Sequence, residues 1–281
     1  LAKPRRKENG LTNYLNLTFD LNDDMHKRLL WQTFKASVFH LSMHAAISNF
    51  EDYTDWSKDK NLELATFTAS VIEDAAVTAG LKKLCPPFTG DIAVANTLSY
   101  LKMKPVQSVS NAAMRLMSSV ISYVNMGGIK GRPTDRLKND TETIAVALNK
   151  FEQNAQKYLT GIAGANQETL PSNDRDASFL QEKISTANLI YPVLRRHGGT
   201  SEIPSLLYVE NHGSDSIFHG KGIPSENDIK VNLENALRTL ESRVNDPDNP
   251  SGPAEASLDN EISQIFSAWE SKEAAERKVL Q

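Results

Sequence analysis

The spacing of apolar residues along the chain is mainly that of α-helices, with polar or proline- and glycine-containing connections between them. The stretch FKASVFHLSMHAAISNF, residues 34–50, is apolar on almost every side, which is typical of a helix surrounded by neighbours. Capping residues, prolines and glycines indicate where helices begin and end. These signals predict eight helices, over residues 22–48, 61–84, 90–102, 105–126, 137–159, 176–197, 226–240 and from 258 onward.

The first five predicted helices alternate with short connections, which is the pattern of an antiparallel bundle. Alanine and serine are frequent on their apolar faces, so neighbouring helices should approach closely. Before these helices, Leu15, Leu17 and Phe19 alternate with polar residues and predict a short strand. Residues 205–211, SLLYVEN, are its best partner within the chain. The sequence therefore predicts a mostly α fold: an antiparallel helical bundle with a short N-terminal strand and a helical C-terminal extension.

The same pattern divides the chain into four segments. They are an N-terminal arm with the short strand (1–24), the helical bundle (25–160), a helix with a long polar loop (161–225), and C-terminal helices joined by a Pro/Gly spacer (226–281). Residues 198–224 hold no helical period, which is typical of a functional loop, a linker or a disordered segment. The last predicted helix has an apolar face of the kind that packs on a partner, formed by Ile262, Ile265, Phe266 and Trp269.

Composition and charge narrow the classes of function. The 281 residues carry a formal net charge of −4, which gives no overall attraction to nucleic acid or to anionic lipid. Cys85 is the only cysteine, so a disulfide within the chain and a cysteine-cluster metal site are both excluded. The sequence has no run of about 18 apolar residues, so it predicts no membrane span. A cytoplasmic location, with no membrane and no nucleic acid as partner, is the expectation.

Two histidines and two acidic residues form the candidate site. His40 and His44 lie four residues apart, so both side chains project from one helix face and could share a metal ion. Glu73 and Asp74 interrupt an apolar helix, where an unpaired carboxylate is costly to bury. These four residues form a candidate site for a single divalent metal, zinc or iron. A polar network that ties the helices together without any metal is the interpretation that the sequence favours.

Other motifs in the sequence lack the residues that define known sites. Leu41 follows His40 where a zinc-hydrolase helix needs glutamate, and the Glu-x-x-His motif of di-iron bundles does not occur. The glycine-rich stretch MGGIKGRP carries Lys130 and Arg132 but follows a helix and lacks the phosphate-loop spacing, which favours a helix cap followed by a basic turn. The polar stretch ENHGSDSIFHG, residues 210–220, holds hydrolase-type residues without a nucleophile-elbow pattern.

Three stretches resemble a known family. LLWQTFKASVFHLSMHAA, ATFTASVIEDAAV and GDIAVANTLSYLKMKP, within residues 25–130, resemble the helical region that precedes the von Willebrand factor A domain in a group of bacterial and archaeal proteins. The group includes cobaltochelatase subunits and activators of nitric oxide reductase and rubisco. Its cobaltochelatase type similarly has two histidines four apart and an acidic, alanine-rich helix. The A domain's own metal motif, Asp-x-Ser-x-Ser, is absent from this chain.

The resemblance implies work with MoxR-type AAA+ ATPases, which remodel client enzymes or insert metal into them. On this basis we expect a helical adaptor or client-recognition module, with an AAA+ ATPase or a metalloenzyme client as partner and without catalytic residues of its own. A metal-dependent enzyme using His40, His44 and Glu73 is one alternative. A structural or assembly protein is the other.

Overall fold

The computed structural model describes residues 5–7, 10–12, 18–20, 22–159, 172–204 and 224–242. This part of the chain is mostly α-helical, as the sequence predicts. Its α-helices are α1 (Asp24–Ile47), α2 (Thr54–Ser57), α3 (Leu62–Leu84), α4 (Thr89–Lys102), α5 (Ala112–Met126), α6 (Asp135–Leu159), α7 (Ser172–Arg195) and α8 (Glu226–Ser242). The helix predicted from residue 258 lies outside the described residues.

Helix ends follow from capping residues. The Asp23 carboxylate accepts the His26 N–H at 3.0 Å and begins α1, and the Asn61 side chain accepts the Leu64 N–H at 3.0 Å and begins α3. Each of these side chains satisfies a backbone donor that the first turn leaves unpaired. The helix α5 ends at Gly127, which takes a left-handed conformation with φ of 72°. This confirms the predicted glycine cap.

One predicted helix begins later than its sequence suggests. The helix expected from Pro105 begins instead at Ala112, because Asn111 caps it by accepting the Met114 N–H at 2.9 Å. Pro105 has an extended backbone and precedes only a short 3-10 turn, Val106–Ser108. The prediction was wrong because proline favours several kinds of turn besides the first turn of a helix.

Three short antiparallel strands precede α1, in the order β1 (Arg5–Lys7), β2 (Gly10–Thr12) and β3 (Thr18–Phe19). β3 falls within the predicted strand and pairs with β2, with Thr18 opposite Thr12. Residues 205–211, the partner expected from the sequence, lie outside the described residues.

The helix α3 is the centre of the packing. It contacts α1, α6 and α7, while α4 packs against α1 and α8. Small residues allow close approach: a Cβ on Gly80 of α3 would lie 2.9 Å from the Met43 sulfur of α1. Apolar residues of α7 and α8, such as Leu194 and Leu233, belong to the same buried cluster as those of the first helices. The core therefore continues across the division predicted near residue 160.

By length and composition alone, α3 could cross a membrane. However, 78% of its apolar window is buried inside the protein, as expected for the core helix of a bundle. The absence of a membrane partner and the cytoplasmic location stay predictions.

A buried ion pair joins α3 to α7. The Nζ of Lys183 lies 2.9 Å from the Oε1 of Glu73, and both side chains are almost completely buried. The Tyr53 hydroxyl donates to the same oxygen at 2.9 Å, and Lys183 also contacts Asp52 at 3.1 Å. Burial, together with the Glu73 carboxylate, raises the pKa of Tyr53 well above its usual range, so this hydroxyl stays a neutral donor.

Substitution of the Glu73–Lys183 ion pair tests whether it holds α7 against α3. Lys183→Met leaves the Glu73 carboxylate buried without its counter-charge, and the free energy of unfolding should fall by about 3–5 kcal/mol in urea titrations. The double variant Glu73→Gln/Lys183→Met removes both charges and should recover a large part of that loss. A single variant as stable as the parent protein would show that the ion pair does not hold α7 to α3.

Candidate metal centre

The helix α1 presents both histidines toward α3. His40 and His44 are one helical turn apart, so their rings lie on the same face, with ring centroids 4.6 Å apart. The His40 side chain is 1% exposed and the His44 side chain 14%. Position 74 on α3 faces this turn of α1, and the Asp74 carboxylate is only 16% exposed. Two helices therefore bring three ligand-type side chains together in a largely water-excluded place.

The distances among the three side chains define the site. The Nε2 atoms of His40 and His44 lie 3.0 Å apart. The Oδ1 of Asp74 lies 3.1 Å from the His44 Nε2 and 3.5 Å from the His40 Nε2. In the described part of the chain, these three residues form a group of possible ligands around one point.

This triangle has the size that a metal ion requires. A tetrahedral zinc ion with bonds of 2.0–2.1 Å holds its ligand atoms about 3.3 Å apart. The three separations of 3.0, 3.1 and 3.5 Å lie on either side of that value. An ion placed just off the plane of the triangle could reach all three atoms and would keep at least one further coordination position.

A second contact holds the His44 ring in place. Its Nδ1 lies 2.7 Å from the hydroxyl of Ser48, and the Ser48 N–H donates to the His44 carbonyl at 2.9 Å as α1 ends. When a metal is bound through Nε2, the ring proton resides on Nδ1 and is donated to Ser48. Such partners outside the ligand set fix both the tautomer and the direction of the ring.

Glu73 does not join this group. Adjacent residues on a helix point about 100° apart, so Glu73 faces Lys183 of α7 while Asp74 faces the histidines. The carboxylate that the sequence offered together with Asp74 thus belongs to the buried ion pair. The sequence could not separate the two roles, because nothing in an acidic pair indicates which neighbour each member faces.

The same three side chains could instead hydrogen-bond to one another without a metal. In that arrangement His44 carries its proton on Nε2, donates to Asp74, and accepts from the Ser48 hydroxyl through Nδ1. The two arrangements therefore differ in the tautomer of one ring, and binding measurements on the same three residues separate them.

A small cavity lies beside Asp74. Its volume is about 30 Å³, enough for a water molecule, and Asn96 and Glu152 also line it. The Asn96 side-chain oxygen is buried and has no hydrogen-bond partner, so it offers an acceptor to such a water. Glu152 is itself paired with Lys82 at 2.7 Å. Two polar side chains besides Asp74 thus lie in this otherwise largely apolar part of the interior.

The other candidates from the sequence lie elsewhere. The Nζ of Lys130 donates to the carbonyls of Tyr100 and Leu101, at 2.6 and 2.8 Å, where α4 ends. Burial, with Lys102 nearby, lowers the pKa of Lys130 to about 8. The side chain thus supports the end of a helix, which suits the predicted basic turn. The polar stretch 210–220 lies outside the described residues.

The chain matches no protein-family model, no curated protein and no solved structure. The resemblance to proteins with a von Willebrand factor A domain, and the AAA+ partner that it implies, therefore stay predictions.

Proposed function

We propose that the protein binds a single divalent transition-metal ion, zinc or iron, through His40, His44 and Asp74. The observation that carries the proposal is the convergence of three ligand atoms from two helices at separations of 3.0–3.5 Å. The helical scaffold holds these atoms before any ion arrives, which lowers the cost of ordering them on binding.

The number and type of the three proposed ligands indicate which kind of metal site they could form. Structural zinc sites usually have four protein ligands, whereas catalytic zinc sites keep three and leave one position open. Two histidines and one carboxylate are also the ligands of many non-haem iron enzymes. A metal held by these three residues would keep an open position for a water molecule. The alternative of a metal-dependent enzyme is thus retained, with Asp74 in the place first given to Glu73.

The adjacent carboxylates provide a matched test. Asp74→Asn removes an anionic ligand and should lower zinc affinity at least tenfold in calorimetric titrations of chelator-treated protein. Glu73→Gln changes the neighbouring residue, which faces away, and should leave the zinc stoichiometry near one ion per chain even where it lowers stability. Iron(II), titrated under anaerobic conditions, shows which of the two metals is preferred.

Two outcomes would contradict the proposal. If the parent protein binds no zinc or iron at micromolar concentrations, the three side chains form a polar network without metal. If Glu73→Gln abolishes binding while Asp74→Asn does not, the assignment of the two carboxylates is reversed.

A second function, as an adaptor, is favoured by the opposite side of α1. Trp31, Phe34 and Val38 follow helical spacing and are 57%, 54% and 42% exposed. The two aromatic rings stack with centroids 5.6 Å apart and form an apolar surface beside the described core. Exposed aromatic clusters of this kind often form the centre of protein interfaces. We propose an AAA+ ATPase or a metalloenzyme client as the partner of this surface.

Capture of partner proteins from native extract tests the proposed adaptor function. The parent protein should retain an identified ATPase or metalloenzyme at near-stoichiometric level, and Trp31→Ala/Phe34→Ala should lose it. Leu189→Ala, which alters an equally exposed apolar side chain on α7, should retain it. Equal capture by all three proteins contradicts the role of this surface. Discrete oligomers of the parent chain in light scattering, abolished by the double variant, would indicate an assembly protein instead.

A further inference from the structure

A basic cleft lies apart from the histidines, where the beginnings of α5 and α6 meet the end of α7. Its volume is about 420 Å³, and it is lined by four arginines and a histidine: Arg115, Arg132, Arg136, Arg196 and His197. They come from α5, from the connection between α5 and α6, from α6, and from the turn after α7. The fold therefore gathers four guanidinium groups from distant parts of the sequence around one cavity.

One carboxylate offsets a part of this charge. Asp140 of α6 accepts from Arg196 at 3.0 Å and from His197 at 2.7 Å, and it lies 3.8 Å from Arg136. Arg115 and Arg132 have no such ion pair among the described residues. Four arginines against one aspartate leave an excess of positive charge along the cleft, which raises the local concentration of anions.

Arg115 is held beside the cleft by a contact with its own chain. Its Nε is fully buried and has no hydrogen-bond partner in the described structure. Another nitrogen of the same group donates to the Ser110 carbonyl at 3.0 Å, which fixes the side chain beside the cleft. Arg115 also lines the cleft, where its positive charge favours an anion.

The wall that carries Arg132 is held in place by backbone contacts. The Arg132 N–H donates to the Gln107 side chain at 3.0 Å, and the Val106 N–H donates to the Lys130 carbonyl at 2.9 Å. Gly131 has φ of 106°, and a Cβ there would collide with Gln107 and Pro105. Only glycine fits this close approach. The stretch MGGIKGRP thus combines a helix cap with one wall of the cleft.

Two helix N-termini add to the attraction for anions. Ala112, the first residue of α5, and Thr134, directly before α6, both line the cleft. The partial positive charge at the start of each helix favours a negative group there. Val106 and Leu137 give the same cavity an apolar part. Small-molecule sites combine such apolar lining with a few polar groups, at volumes of about 300–1,000 Å³.

We propose that this cleft binds a small organic phosphate with two or more negative charges, such as a nucleoside di- or triphosphate. The arginines take the phosphate groups, for which their planar, multiple donors are suited. The apolar part of the cleft takes the remainder of the molecule. The proposal does not depend on the metal centre, which shares no lining residue with the cleft.

Calorimetric titration with ATP, ADP, pyrophosphate and inorganic phosphate, in the presence of EDTA, tests this site. ATP or ADP should bind with micromolar affinity and at least tenfold more tightly than inorganic phosphate. Arg132→Gln should weaken ATP binding at least tenfold. Arg195→Gln, which removes an equal charge next to Arg196 but outside the cleft, should leave ATP affinity within about twofold, because long-range charge effects at physiological salt are small.

Several outcomes would overturn the proposal. They are the absence of ATP binding at millimolar concentration, equal weakening by both variants, and no weakening by Arg132→Gln. Inorganic phosphate binding as tightly as ATP would reduce the cleft to a simple anion site. A short single-stranded oligonucleotide that binds more tightly than ATP, through the same arginine, would assign it to nucleic acid. Far-UV circular dichroism confirms that each variant is folded.

Discussion

Two neighbouring carboxylates in the middle of the buried helix α3 constrain the rest of the structure. Each must meet a compensating group, because an unpaired charge in the interior costs several kcal/mol. Successive helix positions differ by about 100°, and the two carboxylates face different neighbouring helices. Glu73 is compensated by Lys183 of α7, and Asp74 by the histidine pair of α1. The two carboxylates of α3 thereby favour α7 on one side of the helix and α1 on another.

Several contacts hold the residues of the candidate centre in place. His40 and His44 share a helix face, Ser48 fixes one ring, and close packing of Gly80 against Met43 holds α1 near α3. The ligand atoms thus depend on two long helices and not on loops, which favours a defined geometry. The exposed aromatic surface formed by Trp31, Phe34 and Val38 lies on the same helix. An ion bound at the centre would stabilise the helix that presents this surface, and the two proposed roles are compatible.

The sequence predicted local features well, but it did not predict which side chains meet across neighbouring helices. Helix periodicity and caps such as Asp23 gave the positions of most helices, and the four-residue spacing gave the histidine pair. The roles of Glu73 and Asp74 were not separable, because they depend on which helix packs on each side of α3. The basic cleft was also not predictable: Arg115, Arg132 and Arg196 are far apart in the chain, and only the fold brings them together.

A crystal grown with zinc and measured at the zinc absorption edge tests the central assignment most directly. We expect one anomalous peak within about 2.0–2.2 Å of the Nε2 atoms of His40 and His44 and of an Asp74 oxygen, with Glu73 still paired to Lys183. A peak that Glu73 ligates, or no peak between α1 and α3 in protein that is saturated with zinc, would contradict it.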